Sequence, residues 1–131
     1  MALTVLIVDD SPVMRSFIRR VIRLAGYDDI NCVEATDGRD ALNRLASVKA
    51  DVILTDINMP VMNGEEFLLE LKNNGTLDST PALVISTDAT HDRAHRMLAL
   101  GARGYIAKPF SPEALRDQLT SLLGEPDATS N

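Results

Sequence analysis

Cysteine occurs once in the 131 residues, at Cys32, and tryptophan not at all. A single thiol excludes an internal disulfide, so the fold must rest on burial. Cys32 reads as a small buried hydrophobe in a reducing compartment. Aromatic residues make up only 4% of the chain, which leaves Leu, Ile, Val, Ala and Met to build the core. Positive charge is short as well, with 13 basic against 19 acidic side chains and a formal net charge of -6. Phosphate-backbone affinity comes from clustered Lys and Arg, so no nucleic-acid partner is expected, and a cation or a basic protein surface suits the chain better. No apolar run is long enough to cross a bilayer. The opening run, in MALTVLIVDD, lacks a basic leader and stops on two acids. The expectation is a soluble, cytoplasmic monomer with no membrane partner.

What the chain does contain is a series of short apolar runs bounded by turn residues, at 3–8, 31–35, 52–55, 82–85 and 104–107. Such runs suit buried strands of a parallel sheet. Between and after them, helical spacing covers 12–25, 37–48, 63–73, 92–100 and 111–123. Ser11–Pro12 and Ser111–Pro112 are helix-start signals, and Asn63 with Glu66 forms a capping-box pattern. Gly26, Gly101 and Gly124 stand where helices should stop. The first helix should bury Met14, Phe17, Ile18, Val21, Ile22 and Ala25 and leave Arg15, Arg19, Arg20 and Arg23 solvated. The second should turn Ala41, Leu42, Leu45 and Ala46 inward, and the third Phe67, Leu68 and Leu71. Alternation of five strands with five helices implies right-handed crossovers and an α/β, doubly wound parallel sheet. Residues 1–124 read as one domain, and 125–131 as a polar, disordered tail.

The carboxyl ends of those strands carry the chemistry. They deliver Asp9 and Asp10, then Asp56, Ser86 and Lys108 to the rim where open α/β sheets bind ligands. Each residue alone has a plainer reading: an acid in a turn, a charge at a helix start, a cap, a loop lysine. Their arrival together on successive strand ends is hard to explain that way. Three close carboxylates repel by several kcal/mol per pair, on the order expected at an effective dielectric near 20. Lys108 supplies one compensating charge, and a hard divalent cation such as Mg2+, held by oxygen ligands and water, supplies two. Phosphoryl transfer needs an in-line nucleophile and positive charge on the equatorial oxygens. Asp56 can be that nucleophile. Asp9, Asp10, Asp56 and the backbone carbonyl of Asn58 would hold the metal, with Ser86 and Lys108 bonding phosphoryl oxygens.

Four stretches, VLIVDDSPVMR, LTDINMPVMNG, LVIST and GYIAKPF, stand in an order and spacing that resembles the receiver domain of two-component response regulators, most closely its single-domain chemotaxis members. The resemblance implies a flavodoxin-like sheet of order 2-1-3-4-5. It implies that Asp56 is the phosphoacceptor, charged from a histidine kinase or a histidine phosphotransfer protein, and that Asp9 and Asp10 bind Mg2+. Ser86 matches the switch hydroxyl, Tyr105 the aromatic switch, and Lys108 the family's lysine, whose bond to Pro109 is cis. Asn58 and Asp88 match two positions that tune dephosphorylation. Thr87 stands where the family usually carries Ala or Gly, beside the phosphate entrance. The implied output surface is the fourth helix, fifth strand and fifth helix. The implied chemistry is phosphotransfer and autodephosphorylation, without enzymatic action on other substrates.

Two rival classes fail on particular residues. A haloacid dehalogenase-type phosphatase needs an acid two residues after its nucleophile, where this chain has Asn58. A flavin carrier needs a hydroxyl- and glycine-rich loop after the first strand, where this chain has Asp9 and Asp10. A docking module that is never phosphorylated, or a phosphate sink, is the remaining alternative. His91, Arg93, His95, Arg96 and Arg103 form a basic stretch that would suit an acidic target, and its histidines read as solvent-facing rather than as metal ligands.

Overall fold

The short runs of Val, Ile and Leu form strands β1 (Thr4–Val8), β2 (Asn31–Ala35), β3 (Val52–Thr55), β4 (Ala82–Ser86) and β5 (Gly104–Ala107). The helices are α1 (Pro12–Leu24), α2 (Gly38–Leu45), α3 (Gly64–Asn73), α4 (His91–Ala99) and α5 (Pro112–Leu123). The computed structural model describes residues 3–88 and 90–124; the tail expected to be disordered, 125–131, lies outside them. All strand pairs are parallel, in the order β2-β1-β3-β4-β5. β1 and β3 are neighbours although β2 separates them in sequence, so the chain winds away from the centre in both directions. That reversal opens a crevice at the carboxyl ends of β1 and β3. Val8 pairs with Thr55, and Asp9 and Asp56 therefore leave the sheet side by side.

Alternation along the strands divides the core in two. Val5, Ile7, Val52, Leu54, Leu83, Ile85 and Ile106 pack with Ile18, Val21 and Ile22 of α1 and Leu115 and Leu119 of α5. On the opposite face, Leu6, Val8, Ile53 and Val84 meet Ala41 of α2, Phe67, Leu68 and Leu71 of α3 and Met97 of α4. Every residue of β3 and β4 is buried, which is why those strands read as unbroken apolar runs. Each large side chain so buried contributes about 1.5–3 kcal/mol.

The helix starts follow the residue types. Ser11 and Ser111 each accept from the backbone N–H three residues on, both at 3.1 Å, with Pro behind them. Asn63 and Glu66 make both bonds of the capping box, at 2.8 and 2.9 Å.

Several expectations need correction. α2 stops at Leu45, short of the expected Val48; past it the Ala46 amide is shared between the carbonyls of Leu42 and Asn43, and the amides of Ser47 and Val48 both turn to Arg44 C=O. Ala46 is exposed, not inward. Phe17 is 36% exposed, since the first turns of α1 stand at the rim of the sheet; its ring lies 5.5 Å from that of Phe110. α4 begins at His91, one residue before the expected start, because Thr90 accepts from the Arg93 amide. A 3-10 turn, Thr76–Asp78, follows α3 and was not anticipated. Cys32 is half-buried, and burial pushes its thiol pKa up.

One local conflict stands beside the rim. Val61 has φ 67 and is 81% exposed, while Met62 N–H bonds Pro60 C=O at 2.7 Å. That closes a γ-turn on a β-branched residue, a strained arrangement. Val61→Asn is expected to raise stability by about 0.5–1 kcal/mol, since Asn tolerates positive φ and no buried contact is lost. Urea unfolding checks this; a destabilised variant would mean that the Val61 side chain makes a contact worth more than the relieved strain.

Candidate functional site

The site is built from the first residues beyond three strands. Asp9, 2% exposed, follows β1, and Asp56, 8% exposed, follows β3. The Asp9 N–H donates to Ala35 C=O at 3.1 Å and the Asp56 N–H to Val8 C=O at 2.9 Å, fixing both backbones to the sheet. Each carboxylate is then bonded twice. Oδ1 of Asp9 accepts from the Ser11 amide at 2.9 Å, and Oδ1 of Asp56 from the Ile57 amide at 2.7 Å. Lys108 Nζ, arriving from β5, donates to Oδ2 of both, at 2.9 and 3.1 Å. Burial opposes the charge on Lys108, but its hydrogen bonds to Asp9 and Asp56 and their negative charge outweigh it and hold the ammonium above the usual lysine range. The Lys108–Pro109 peptide is cis, as the resemblance implied.

Asp10 is exposed beside this pair, and single carboxylate oxygens of Asp9, Asp10 and Asp56 lie within 4.8 Å of one another. The donor set is all oxygen, and one ammonium cannot neutralise three carboxylates. Those two facts fit a hard, oxygen-seeking cation such as Mg2+, and not a soft metal. Gly64 lets the start of α3 lie against this loop: a Cβ there would stand 2.1 Å from the Asp56 carbonyl oxygen.

The expected switch residues sit one strand further out. Ser86 ends β4 with no exposure, and its Oγ accepts from the Asp88 amide at 3.2 Å. The Tyr105 hydroxyl donates to the Asp88 carbonyl, and the ring is half-buried against the α3–α4 side of the core. Burial raises the Tyr105 phenol pKa, with an interaction from Ser86 opposing it. Thr87 and Asn58 are exposed on the rim. Thus Asp9, Asp10, Asp56 and Lys108 form one cluster, and Ser86, Asp88 and Tyr105 form a second, joined to the first by the Lys108 amide on Ser86 C=O at 2.8 Å.

Sequence reasoning missed four contributors. Two are the loop amides of Ser11 and Ile57, which no side-chain pattern reveals. The third is Arg15, expected to be solvated; it bonds the Asp9 carbonyl and Glu34, each at 2.7 Å. The fourth is Arg93, which bridges Asp88 at 3.1 Å and Glu65 at 2.8 Å. Arg96 adds a 3.4 Å contact to Glu65. The basic stretch of α4 is therefore partly neutralised within the domain. His91 and His95 are exposed, with ring centroids 6.1 Å apart. Among the described residues no helix is long and apolar enough to cross a membrane.

A doubly wound sheet whose central crevice is lined by carboxylates and a lysine, where nucleotide carriers of the same topology place glycine amides, defines an acid-rimmed α/β class suited to a cation and a phosphoryl group. Within that class, the response regulator receiver domain matches residues 5–120, and the chain belongs to that family. It is 34% identical over 123 residues to the chemotaxis protein CheY1 of Helicobacter pylori, covering 93% of this chain and 98% of that protein. Against CheY of Pseudomonas aeruginosa it is 34% identical over 118 residues, covering 90% and 94%. The solved structure of CheY4 from Vibrio cholerae superposes with a TM-score of 0.83 at 35% identity, covering 94% of this chain and all of that one.

Proposed function

We propose that the chain is a response regulator that accepts a phosphoryl group on Asp56 and thereby changes its affinity for a protein partner. The observation that carries this reading is the pairing of Asp56 with Asp9 under a shared Lys108 ammonium, beside Asp10. An oxygen of Asp56 attacks phosphorus, the bond from phosphorus to the donor histidine nitrogen breaks, and the electron pair leaves with the imidazole. The Ile57 amide and Lys108 hold the carboxylate in place for that attack. Asp9, Asp10, Asp56 and the Asn58 carbonyl would hold Mg2+, which when bound supplies positive charge to the phosphoryl oxygens. Lys108 then follows the new negative charge, and Ser86 exchanges its bond from the Asp88 amide for one to a phosphoryl oxygen. Loss of the Ser86–Asp88 contact shifts the β4–α4 loop and Tyr105 toward a second arrangement, a population shift toward the state that holds phosphate better.

The donor is a histidine kinase or histidine phosphotransfer protein, and the target docks on α4, β5 and α5. The named relatives are chemotaxis proteins, which supports a role in chemotaxis or a related phosphorelay. The chain acts on no substrate besides its own phosphoryl group.

Intact mass after incubation with acetyl phosphate and Mg2+ tests the proposal. One phosphoryl adduct is expected, absent from Asp56→Asn and from a chelated sample. No adduct on the parent with any phosphodonor, its histidine kinase included, overturns the reading in favour of a docking module. Thr87 lies exposed at the entrance, where the family's smaller residue would leave more room. Thr87→Ala is expected to speed phosphorylation by acetyl phosphate several-fold, because a bulky rim misplaces the incoming donor. Equal rates would remove Thr87 from the account.

A further inference from the structure

We infer that Arg15 is a positioning residue for the acid pair, held to that task by Glu34; the inference rests on the magnesium-dependent function proposed above. Arg15 belongs to the charged face of α1, yet its side chain is only 15% exposed. One arm of its guanidinium, Nη1, donates to the main-chain carbonyl of Asp9 at 2.7 Å. Nε donates to Glu34 Oε1 at 2.7 Å, and the other Glu34 oxygen takes Arg19 at 2.9 Å.

The consequence is a residue held on both sides, with the peptide before Asp9 tied to β2 and the peptide after it tied to Arg15. Asp9 N–H is tied to the Ala35 carbonyl at 3.1 Å, one residue along β2 from Glu34, and Asp9 C=O is tied to Arg15. The peptide that joins Asp9 to Asp10 cannot rotate without breaking the second bond, and its plane sets the direction in which Asp10 leaves the chain. Asp10 is the one member of the cluster that is exposed. Its approach to Asp9 and Asp56 therefore depends on the backbone.

Glu34 has a second effect. A guanidinium bonded to the Asp9 main chain and left without a second partner would be drawn toward the neighbouring acid cluster and compete with a cation. By taking Nε, and sharing Arg19, Glu34 fixes the planar fork side-on, so that Arg15 donates to a neutral carbonyl instead.

This reading and plain electrostatics predict opposite signs. If Arg15 acts only as a nearby positive charge, its removal strengthens binding of a divalent cation. If it positions the acids, removal weakens binding. Calorimetric titration of the full chain with Mg2+ alone distinguishes them. Arg15→Met is expected to weaken binding about tenfold. Arg15→Lys, which keeps the charge but lacks the fork, should fall between that variant and the parent. Glu34→Gln should also weaken binding, and Arg15→Met with Glu34→Gln should be no weaker than Arg15→Met alone, since both act through one contact.

Arg15→Met binding as tightly as the parent, or more tightly, overturns the inference, as does an additive double variant. Melting in chelator shows whether Arg15→Met folds; if it does not, Arg15→Lys decides, because the charge is kept and only the fork is lost: affinity equal to the parent's counts against the inference and weaker binding supports it. A parent that binds no Mg2+ overturns the proposed function and this inference together. A parent that binds beside unaffected variants overturns this inference alone.

Discussion

Lys108→Met is expected to lose about 3–5 kcal/mol of stability in chelator and to recover part of it when Mg2+ is added. The Lys108 side chain is 10% exposed and lies between the Asp9 and Asp56 carboxylates, themselves 3% and 10% exposed. Removing one partner of a buried ionic group leaves the other charges desolvated and unopposed, which costs more than the intact group ever gained. Here two carboxylates are left facing one another, so the loss is a large part of the 5–15 kcal/mol typical of a domain. A divalent cation attracted by three acids replaces the missing charge, so the melting temperature of the variant should depend on Mg2+ more steeply than that of the parent. Thermal melts in chelator and in Mg2+ provide the comparison. Equal melting temperatures in chelator would show that the carboxylates are hydrated well enough to need no lysine.

Gly64→Ala should damage both fold and site. The added Cβ would stand 2.1 Å from the Asp56 carbonyl oxygen and 2.7 Å from Ile57 Cα. Both are backbone atoms and cannot turn aside. The Gly64 amide also bonds Ile57 C=O at 2.8 Å, which ties the start of α3 to the same loop. Relief requires the loop after β3 to shift, at a cost of about 1–3 kcal/mol for overpacking, with the Asp56 carboxylate carried along. A displacement near 1 Å at a reacting group can reduce rate by about two orders of magnitude. The expected result is a lowered urea midpoint and acetyl phosphate labelling reduced at least tenfold. Gly38→Ala is the comparison: its Cβ would meet the flexible Met62 thioether, at 2.7 and 2.9 Å, as well as Phe67 Cβ at 2.9 Å. That variant should lose stability but keep most of its labelling.

How far the sequence went depended on the range of the interaction. Strand ends were legible because an apolar run that stops on a charged or hydroxyl residue is a local event, and in parallel topology each such stop falls on one rim. That is why Asp9, Asp56, Ser86 and Lys108 could be placed before any geometry. Helix starts were legible for the same reason: Ser11, Asn63 and Ser111 reach only three residues ahead. Arg15 was misread because periodicity assigns a side of the helix and not the reach of a long side chain. Its partner Glu34 lies 19 residues away on another element. Phe17 fits the helical period of α1, but the sheet ends before it is covered. The bonds from the Ser11 and Ile57 amides come from backbone and leave no mark in composition.

Lys108 comes from the edge of the sheet, whereas the acids it bonds come from the centre. β5 pairs with β4 alone, so an ordinary edge strand of four residues would open locally at little cost. The ammonium passes over the end of β4 and is fastened to residues behind β1 and β3. Fraying of the outermost strand then requires the central charges to separate. Whatever changes the charge at Asp56 therefore also changes how firmly the margin of the molecule is held, and a chemical event two strands away becomes a change in the stiffness of an outer edge.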